Sequence, residues 1–293
     1  MKLLKSTALV SVILFAAAGC YFLPIEENTR FYALVVGIND YTDPGVSDLT
    51  YCVDDALDFK ASLIKNGWRD SEIVLLTDGG ATKSAILNTL TSFTDQAGAN
   101  DYLLIYYSGH GTSVIDMDGD EPDGYDEAIV PVDYILGDDT TLILDDELGE
   151  ILLASKTEKG VFIFDACNSG GLINKALKAP GSTARFTDST NSKGGATNGD
   201  LDITKFPVLA ASGQYEFAYE NSDLQHGVFT YFLLKGFSGL KADMDNDGYI
   251  TIRELFNYAE NQTKSYVKYY YGFVYQHPQL RYPREFLDIL VTR

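Results

Sequence analysis

Phe31-Tyr-Ala-Leu-Val-Val-Gly-Ile38 runs without a charge and without polar alternation. A strand that faces water on one side alternates apolar with polar residues. A continuous run of this length belongs to a strand covered on both faces, as in a parallel sheet. The segments that follow agree. Asp48 to Asn66 carries Ala56, Phe59 and Leu63 at helical spacing and stops at Gly67. Ile73 to Leu76 is a short strand, and Thr82 caps a helix reaching about Gln96. Asp101 to Tyr107 is a strand, Asp146 to Ser155 a helix and Lys159 to Phe164 a strand. Phe206 to Ala211 adds a strand and Val228 to Leu240 a helix. Strands alternating with helices across short joints specify an α/β fold: an open, mostly parallel sheet with helices on both faces.

Ahead of this region lies a different kind of segment. Lys2 and Lys5 precede an apolar stretch from Ala8 to Ala18. That stretch is too short to cross a hydrocarbon core of about 30 Å and reads as an export signal. It ends in Ala17-Ala18-Gly19-Cys20, which resembles the lipobox of a bacterial lipoprotein. The resemblance implies a signal peptide over 1–19, lipidation at Cys20, a tether over 20–30 and a protein anchored to the bacterial cell envelope. An ordinary signal peptide cut nearby is the other reading.

What remains is enough for one large α/β domain. The expected layout is a single domain over 31–293, with a flexible loop over 173–204 between halves at 31–172 and 205–293. The loop is rich in Gly, Ser, Thr, Asn and Lys and lacks periodicity, so it is an active-site or processing segment. Lys175, Lys178, Arg185 and Lys193 are candidate self-cleavage points in it. The formal charge of −20 argues against nucleic acid and against adsorption to anionic lipid, leaving the lipid anchor as the only membrane contact. Such a surface suits cations, either calcium or a basic substrate. Beyond Cys20, only Cys52 and Cys167 are present, too few for a disulfide-stapled exported domain.

Open α/β sheets bind ligands at the carboxyl ends of their strands. Two of those ends carry reactive groups. One strand runs into Tyr107-Ser-Gly-His-Gly-Thr112, the other into Phe164-Asp-Ala-Cys-Asn-Ser-Gly-Gly171. A Cys before Ser-Gly-Gly on a turn has backbone N–H groups free to hold an oxyanion, and a neutral imidazole nearby takes the thiol proton. A calcium-stabilised surface lipoprotein without turnover is the alternative. A redox pair of Cys52 and Cys167 is another, though no Cys-x-x-Cys spacing supports it.

Tyr106-Tyr-Ser-Gly-His-Gly-Thr112 and Asp165-Ala-Cys-Asn-Ser-Gly170 resemble the His and Cys motifs of metacaspases and their bacterial caspase-like relatives. Phe206 to Gly213, Glu216 to Glu220 and His226 to Thr230 resemble the small-subunit region of that family, so the likeness covers Phe31 to Lys241. It implies a cysteine endopeptidase with Cys167 as nucleophile and His110 as base, and a monomer is expected. The N–H groups of Gly111 and Cys167 then form the oxyanion hole. Asn168 departs from the pattern, since many metacaspases have His there. The resemblance also implies an acidic pocket, from Asp55 and Asp165, for the side chain preceding the scissile bond (P1). The substrates are then polypeptides with Arg or Lys at P1.

Asp243-Met-Asp-Asn-Asp-Gly-Tyr-Ile-Thr-Ile-Arg-Glu254 fits the calcium-binding EF-hand loop. Its ligands are Asp243, Asp245, Asp247, the Tyr249 carbonyl and the bidentate Glu254, with Gly248 at the turn. In Asp116 to Glu127 the start imitates such a loop, but Glu121 stands where the turn glycine belongs. By resemblance to metacaspases, Asp126, Asp145 and Asp146 belong to an activating calcium site, whose fourth position reads Asn174.

Overall fold

The computed structural model describes residues 28–117, 119, 125–167, 206–212, 217–272, 276–281 and 291–292. The expected leader over 1–19, Cys20, Asn174, the loop 173–204 and its four basic residues lie outside them. In chain order the elements begin with β1 (Phe31–Gly37), α1 (Cys52–Lys65), β2 (Ile73–Thr77), α2 (Lys83–Gln96) and β3 (Tyr102–Ile115). Next come β4 (Tyr125–Ile129), β5 (Ile143–Leu144), α3 (Asp145–Leu153), β6 (Lys159–Cys167) and β7 (Val208–Ala210). The remainder is β8 (Glu220–Asn221), β9 (His226–Gly227), α4 (Val228–Phe237), α5 (Ile252–Tyr271) and β10 (Gln279–Arg281).

The central sheet has the order β10-β7-β6-β3-β1-β2. Its inner pairs are parallel, and β10 joins β7 antiparallel at the edge. Every residue of β1 is buried, as the unbroken apolar run requires. The pleat divides the core in two. Leu34, Val36, Leu103, Ile105, Tyr107, Phe162 and Phe164 face α2 and α3 through Ile86, Leu90, Leu148 and Leu152. Ala33, Val35, Leu104, Tyr106, Val161 and Ile163 face α1, α4 and α5 through Phe59, Leu63, Phe229, Leu233 and Leu255. Phe59 stacks on Tyr106 with centroids 4.1 Å apart. Gly37 closes β1 because α1 begins directly above it: a Cβ there would overlap the Cys52 carbonyl.

Two expectations need correction, and some elements were not expected at all. The helix expected from Asp48 starts at Cys52, because Asp48 is used to tie the preceding loop: its Oδ1 accepts from Tyr41 N–H at 3.0 Å. Asn39 Oδ1 reaches Val53 N–H in the first turn of α1. The strand expected to end at Tyr107 continues to Ile115, since β4 pairs with its far half from Gly111 to Ile115. His110 is therefore a residue inside a strand, not on a loop. Finally, the antiparallel additions β4, β5 and β10 and the β8–β9 hairpin are too short, or too polar, to stand out as apolar runs.

Candidate active site

Two rungs of the β3–β6 ladder, separated by the Gly109–Ala166 pair, hold the candidate site residues. Ser108 pairs with Asp165, and His110 pairs with Cys167, the last residue of β6. Period-two alternation puts Tyr106, Ser108 and His110 on one face of β3, and Val161, Ile163 and Asp165 on the same face of β6. That is the α1–α4 face. Adjacent strands are about 4.8 Å apart, so the register alone brings the backbones of His110 and Cys167 within neighbouring distance.

His110 is fully buried and over-determined. Its backbone N–H donates to Tyr41 Oη at 2.9 Å, and its carbonyl accepts from Tyr107 Oη at 2.7 Å and Val130 N–H at 3.0 Å. The ring packs on Tyr41 with centroids 4.9 Å apart. Nε2 lies 2.7 Å from the Ser47 carbonyl. A carbonyl only accepts, so Nε2 carries the proton and Nδ1 keeps the lone pair. Burial pushes the imidazole below its ordinary pKa, against smaller opposing contributions from the Ser47 bond and Asp48. The ring is thus a neutral base at neutral pH. Ser47 gave no sequence signal because it acts through its backbone.

Two rungs back, Asp165 converges with Asp55 of α1, each only 1% exposed. Asp55, in the first turn of α1, accepts from Ser108 Oγ at 3.0 Å and from Gly227 N–H at 3.2 Å to each oxygen. Its Oδ1 also meets His226 Nδ1 at 2.8 Å. Asp165 Oδ2 accepts from Thr230 N–H at 3.0 Å and Thr230 Oγ1 at 2.7 Å. Both carboxylates therefore sit at the N-terminal end of α4, where the helix dipole favours negative charge. A Cβ on Gly227 would lie 2.5 Å from Asp165 Oδ2 and 3.1 Å from Asp55 Oδ2, so only glycine fits between them. Asp165 Oδ1 is buried and accepts no hydrogen bond among the described residues.

Burial pushes Asp55 up to about 6, against the His226, Ser108 and Gly227 bonds, and pushes Asp165 up to about 7, with Asp55 adding repulsion. Two coupled carboxyls held this far above their usual range mark a site built to receive a cation or a proton. Sequence reasoning named both but missed their partners Ser108, His226, Gly227 and Thr230. Ser108 was findable: it precedes His110 by two residues, as Asp165 precedes Cys167.

The expected calcium loop forms a helix–loop–helix between α4 and α5. Asn246 at φ +62° and Gly248 at φ +90° make its turn, and Asp243 Oδ2 accepts from Gly248 N–H at 3.0 Å. Carboxylate oxygens of Asp243, Asp245 and Asp247 lie within 4.8 Å of one another, the only such trio among the described residues. Burial first, then repulsion from Asp247, Glu254 and Asp243, pushes the Asp245 carboxyl up. Glu254 bonds Met244 N–H at 2.8 Å and Thr251 N–H at 3.0 Å, closing the loop as a capping box for α5. Tyr249 is exposed. These hard oxygen donors fit calcium. Ile250, inside the loop, bonds Val291 N–H at 2.9 Å, and Trp68 Nε1 donates to the Val291 carbonyl at 3.0 Å. Asp126 lies on β4, and Asp145 and Asp146 open α3 beside β5, which pairs with β4. Topology brings these three to one sheet edge, without the convergence seen at Asp243, Asp245 and Asp247.

Comparison with known proteins follows the same outline. Residues 32–176 match the model of the metacaspase peptidase C14 domain. Metacaspase-1 of Emericella nidulans is 37% identical over 152 residues, covering 48% of this chain and 36% of that protein. Metacaspase-1 of Schizosaccharomyces pombe is 34% identical over 151 residues, covering 48% and 34%. Metacaspase-1B of Neurospora crassa is 37% identical over 169 residues, covering 54% and 38%. The alignments thus span between a third and two fifths of these relatives' length. A crystal structure of a Geobacter sulfurreducens protein is alike in fold, with a TM-score of 0.59 at 22% identity, covering 86% of this chain and 92% of that one. The matched segment holds both β3 and β6, and with them the paired rungs, so residues 32–176 belong with the metacaspase/caspase-like family of peptidase C14 domains.

Proposed function

We propose that this chain is a calcium-dependent cysteine endopeptidase that hydrolyses polypeptides after Arg or Lys. The observation that carries the reading is the ladder itself: the rung His110–Cys167 two positions from the rung Ser108–Asp165, with Asp55 buried against the latter. In this reading His110 Nδ1 takes the Cys167 thiol proton, and the thiolate sulfur bonds the scissile carbonyl carbon. The N–H groups of Gly111 and Cys167 hold the resulting oxyanion. Collapse expels the amine, which leaves with the proton from Nδ1. Water then gives a proton to Nδ1, attacks the thioester, and the thiolate departs.

The two carboxylates support a basic P1 side chain. Among the described residues no Lys or Arg forms an ion pair with either, and Asp165 Oδ1 awaits a donor. An acidic P1 residue would meet like charge there. Calcium bound by Asp243, Asp245, Asp247, the Tyr249 carbonyl and Glu254 supplies charge neutralisation that stiffens the loop between α4 and α5. A second calcium, on Asp126, Asp145 and Asp146, is part of the proposal on family grounds. So is export with a lipid on Cys20. A panel of peptides differing only at P1, as Arg, Lys, Leu or Asp, tests the central claim. Turnover restricted to Arg and Lys supports it; preference for Asp, or no turnover with calcium present, overturns it.

A further inference from the structure

The proposed P1 chamber has a third ionisable side chain beside its two carboxyls, His226, whose Nδ1 meets Asp55. We infer that His226 is a specificity-determining residue whose imidazolium neutralises Asp55 and leaves Asp165 to receive the substrate's charge. The inference rests on the proposed basic P1 specificity. Its geometry is independent of it. The β8–β9 hairpin brings His226 over the start of α1, where Nδ1 lies 2.8 Å from Asp55 Oδ1 and Nε2 lies 3.4 Å from Asp58 Oδ2. Each ring nitrogen thus faces a carboxylate, and carboxylates accept, so the arrangement favours the doubly protonated ring.

The hairpin is fixed rather than draped. Gly227 N–H meets both oxygens of Asp55, and Glu220, on the opposing strand, accepts from Tyr51 N–H at 2.9 Å and Thr50 N–H at 3.3 Å. Charge around the ring comes from several elements. Helix α1 contributes Asp54, Asp55 and Asp58; behind Asp55 lies Asp165 of β6, itself repelled by Asp55 and by Glu220 of β8. From α4 comes Tyr231, 6.2 Å away and itself covered by Lys235 Nζ. Burial alone would lower the imidazole, but Asp55, with Asp58 and Asp54, outweighs it and holds the ring above its ordinary range.

Counting charges inside the chamber then decides the occupant. Once both carboxyls are ionised, Asp55 and Asp165 with an imidazolium leave one negative charge, matched by one guanidinium or ammonium. Asp55 has its oxygens engaged by His226, Ser108 and Gly227, whereas Asp165 Oδ1 accepts nothing. The substrate cation is therefore received mainly by Asp165. Without the imidazolium, Asp55 loses the two largest influences that lower its pKa, the His226 hydrogen bond and the His226 charge. The carboxyl pair would hold a proton to higher pH, and that proton competes with the substrate.

The test compares wild type with His226→Asn, which keeps a donor near the position of Nδ1 but carries no charge. On a P1-Arg peptide, KM of the variant is expected to exceed that of wild type by about 10-fold at pH 6.5, one pKa unit of displaced midpoint. The two should agree within about 2-fold at pH 8.5, at which the carboxyls are ionised in both. The kcat should be unchanged. An equal KM ratio at both pH values means a purely structural role and overturns the inference. If wild type itself fails to cleave the Arg peptide, the proposed specificity falls first. An NMR titration of the three wild-type histidines needs no variant and does not depend on turnover. The His226 ring should remain protonated at pH 6.5 with or without agmatine, a free guanidinium probe. A neutral ring there overturns the inference even if the asparagine variant does not fold.

Discussion

Replacing Asp165 by Asn should make the folded chain more stable at alkaline pH while disabling the P1 pocket. The folded pKa of about 7 lies above the ordinary carboxyl value of 3.8, so the fold retains a proton that the unfolded chain releases. The stability contributed by that protonated carboxyl is fully present below about pH 4 and is lost as pH rises through about 7. The difference is about 3 units, and at 1.36 kcal/mol per unit it amounts to ~4 kcal/mol by pH 8. Asn removes this loss, and its amide oxygen keeps both donors of Thr230. Against that, its NH2 is buried where Oδ1 now accepts nothing, a cost of ~1–3 kcal/mol. The net gain is about 1–3 kcal/mol at pH 8, or roughly 3–10 °C in Tm for a domain of this size. Thermal unfolding followed by circular dichroism at pH 4.5, 6 and 8 measures it. At pH 4.5 the proton-linked gain falls to about 1 kcal/mol, so the amide cost leaves the variant equal to wild type or less stable by up to ~2 kcal/mol. A destabilised variant at pH 8, or a gain of equal size at all three pH values, refutes the burial argument. Cleavage after Arg should fall at least ~30-fold, because a buried charge pair broken on one side costs about 2–5 kcal/mol.

Cys167→Ala should abolish peptide hydrolysis with the circular dichroism spectrum unchanged, and His110→Ala should cost roughly 10²–10⁴-fold in kcat. Activity of Cys167→Ala above blank would remove the nucleophile assignment. Glu254→Gln should reduce the rise in Tm that calcium produces and leave residual activity, whereas Asp145→Asn with Asp146→Asn should depress activity more than stability. A chelator that changes neither Tm nor activity would end both calcium proposals. Wild type should partition into detergent and take up a radiolabelled lipid precursor, and Cys20→Ser should do neither; unlabelled wild type free in the medium would favour simple secretion.

The central strands were legible because burial on both faces leaves a strong trace: β1, the first half of β3 (Tyr102 to Tyr107) and the middle of β6 (Val161 to Phe164) are continuous apolar runs. Thr82 was readable as a cap because its hydroxyl does what the sequence suggests, accepting from Ala85 N–H at 3.2 Å. The reach of β3 past His110 was not readable, since Ser108 to Ser113 is small and polar, and pairing with β4 holds it extended. At the site, Asp55 and Asp165 could be named from motif likeness. Their joint burial could not, because it depends on Gly227, Ser108 and Thr230 arriving from three other elements. The role of His226 was hidden for the same reason: 171 residues separate it from Asp55.

The pairing of β3 with β6 has one more consequence. Two residues of a strand advance about 6.6 Å, and that step separates the rung of Asp165 from the rung of Cys167. Under the proposed function the sheet would work as a fixed ruler between recognition and reaction, graduated by the pleat. A P1 side chain must be long enough to span one graduation, which suits a straight chain ending in charge and leaves short side chains without a partner. Such a ruler cannot be retuned gradually. Deleting or inserting one residue in either strand reverses which face every later side chain occupies, so new specificity in this fold has to come from exchanging groups at the existing marks.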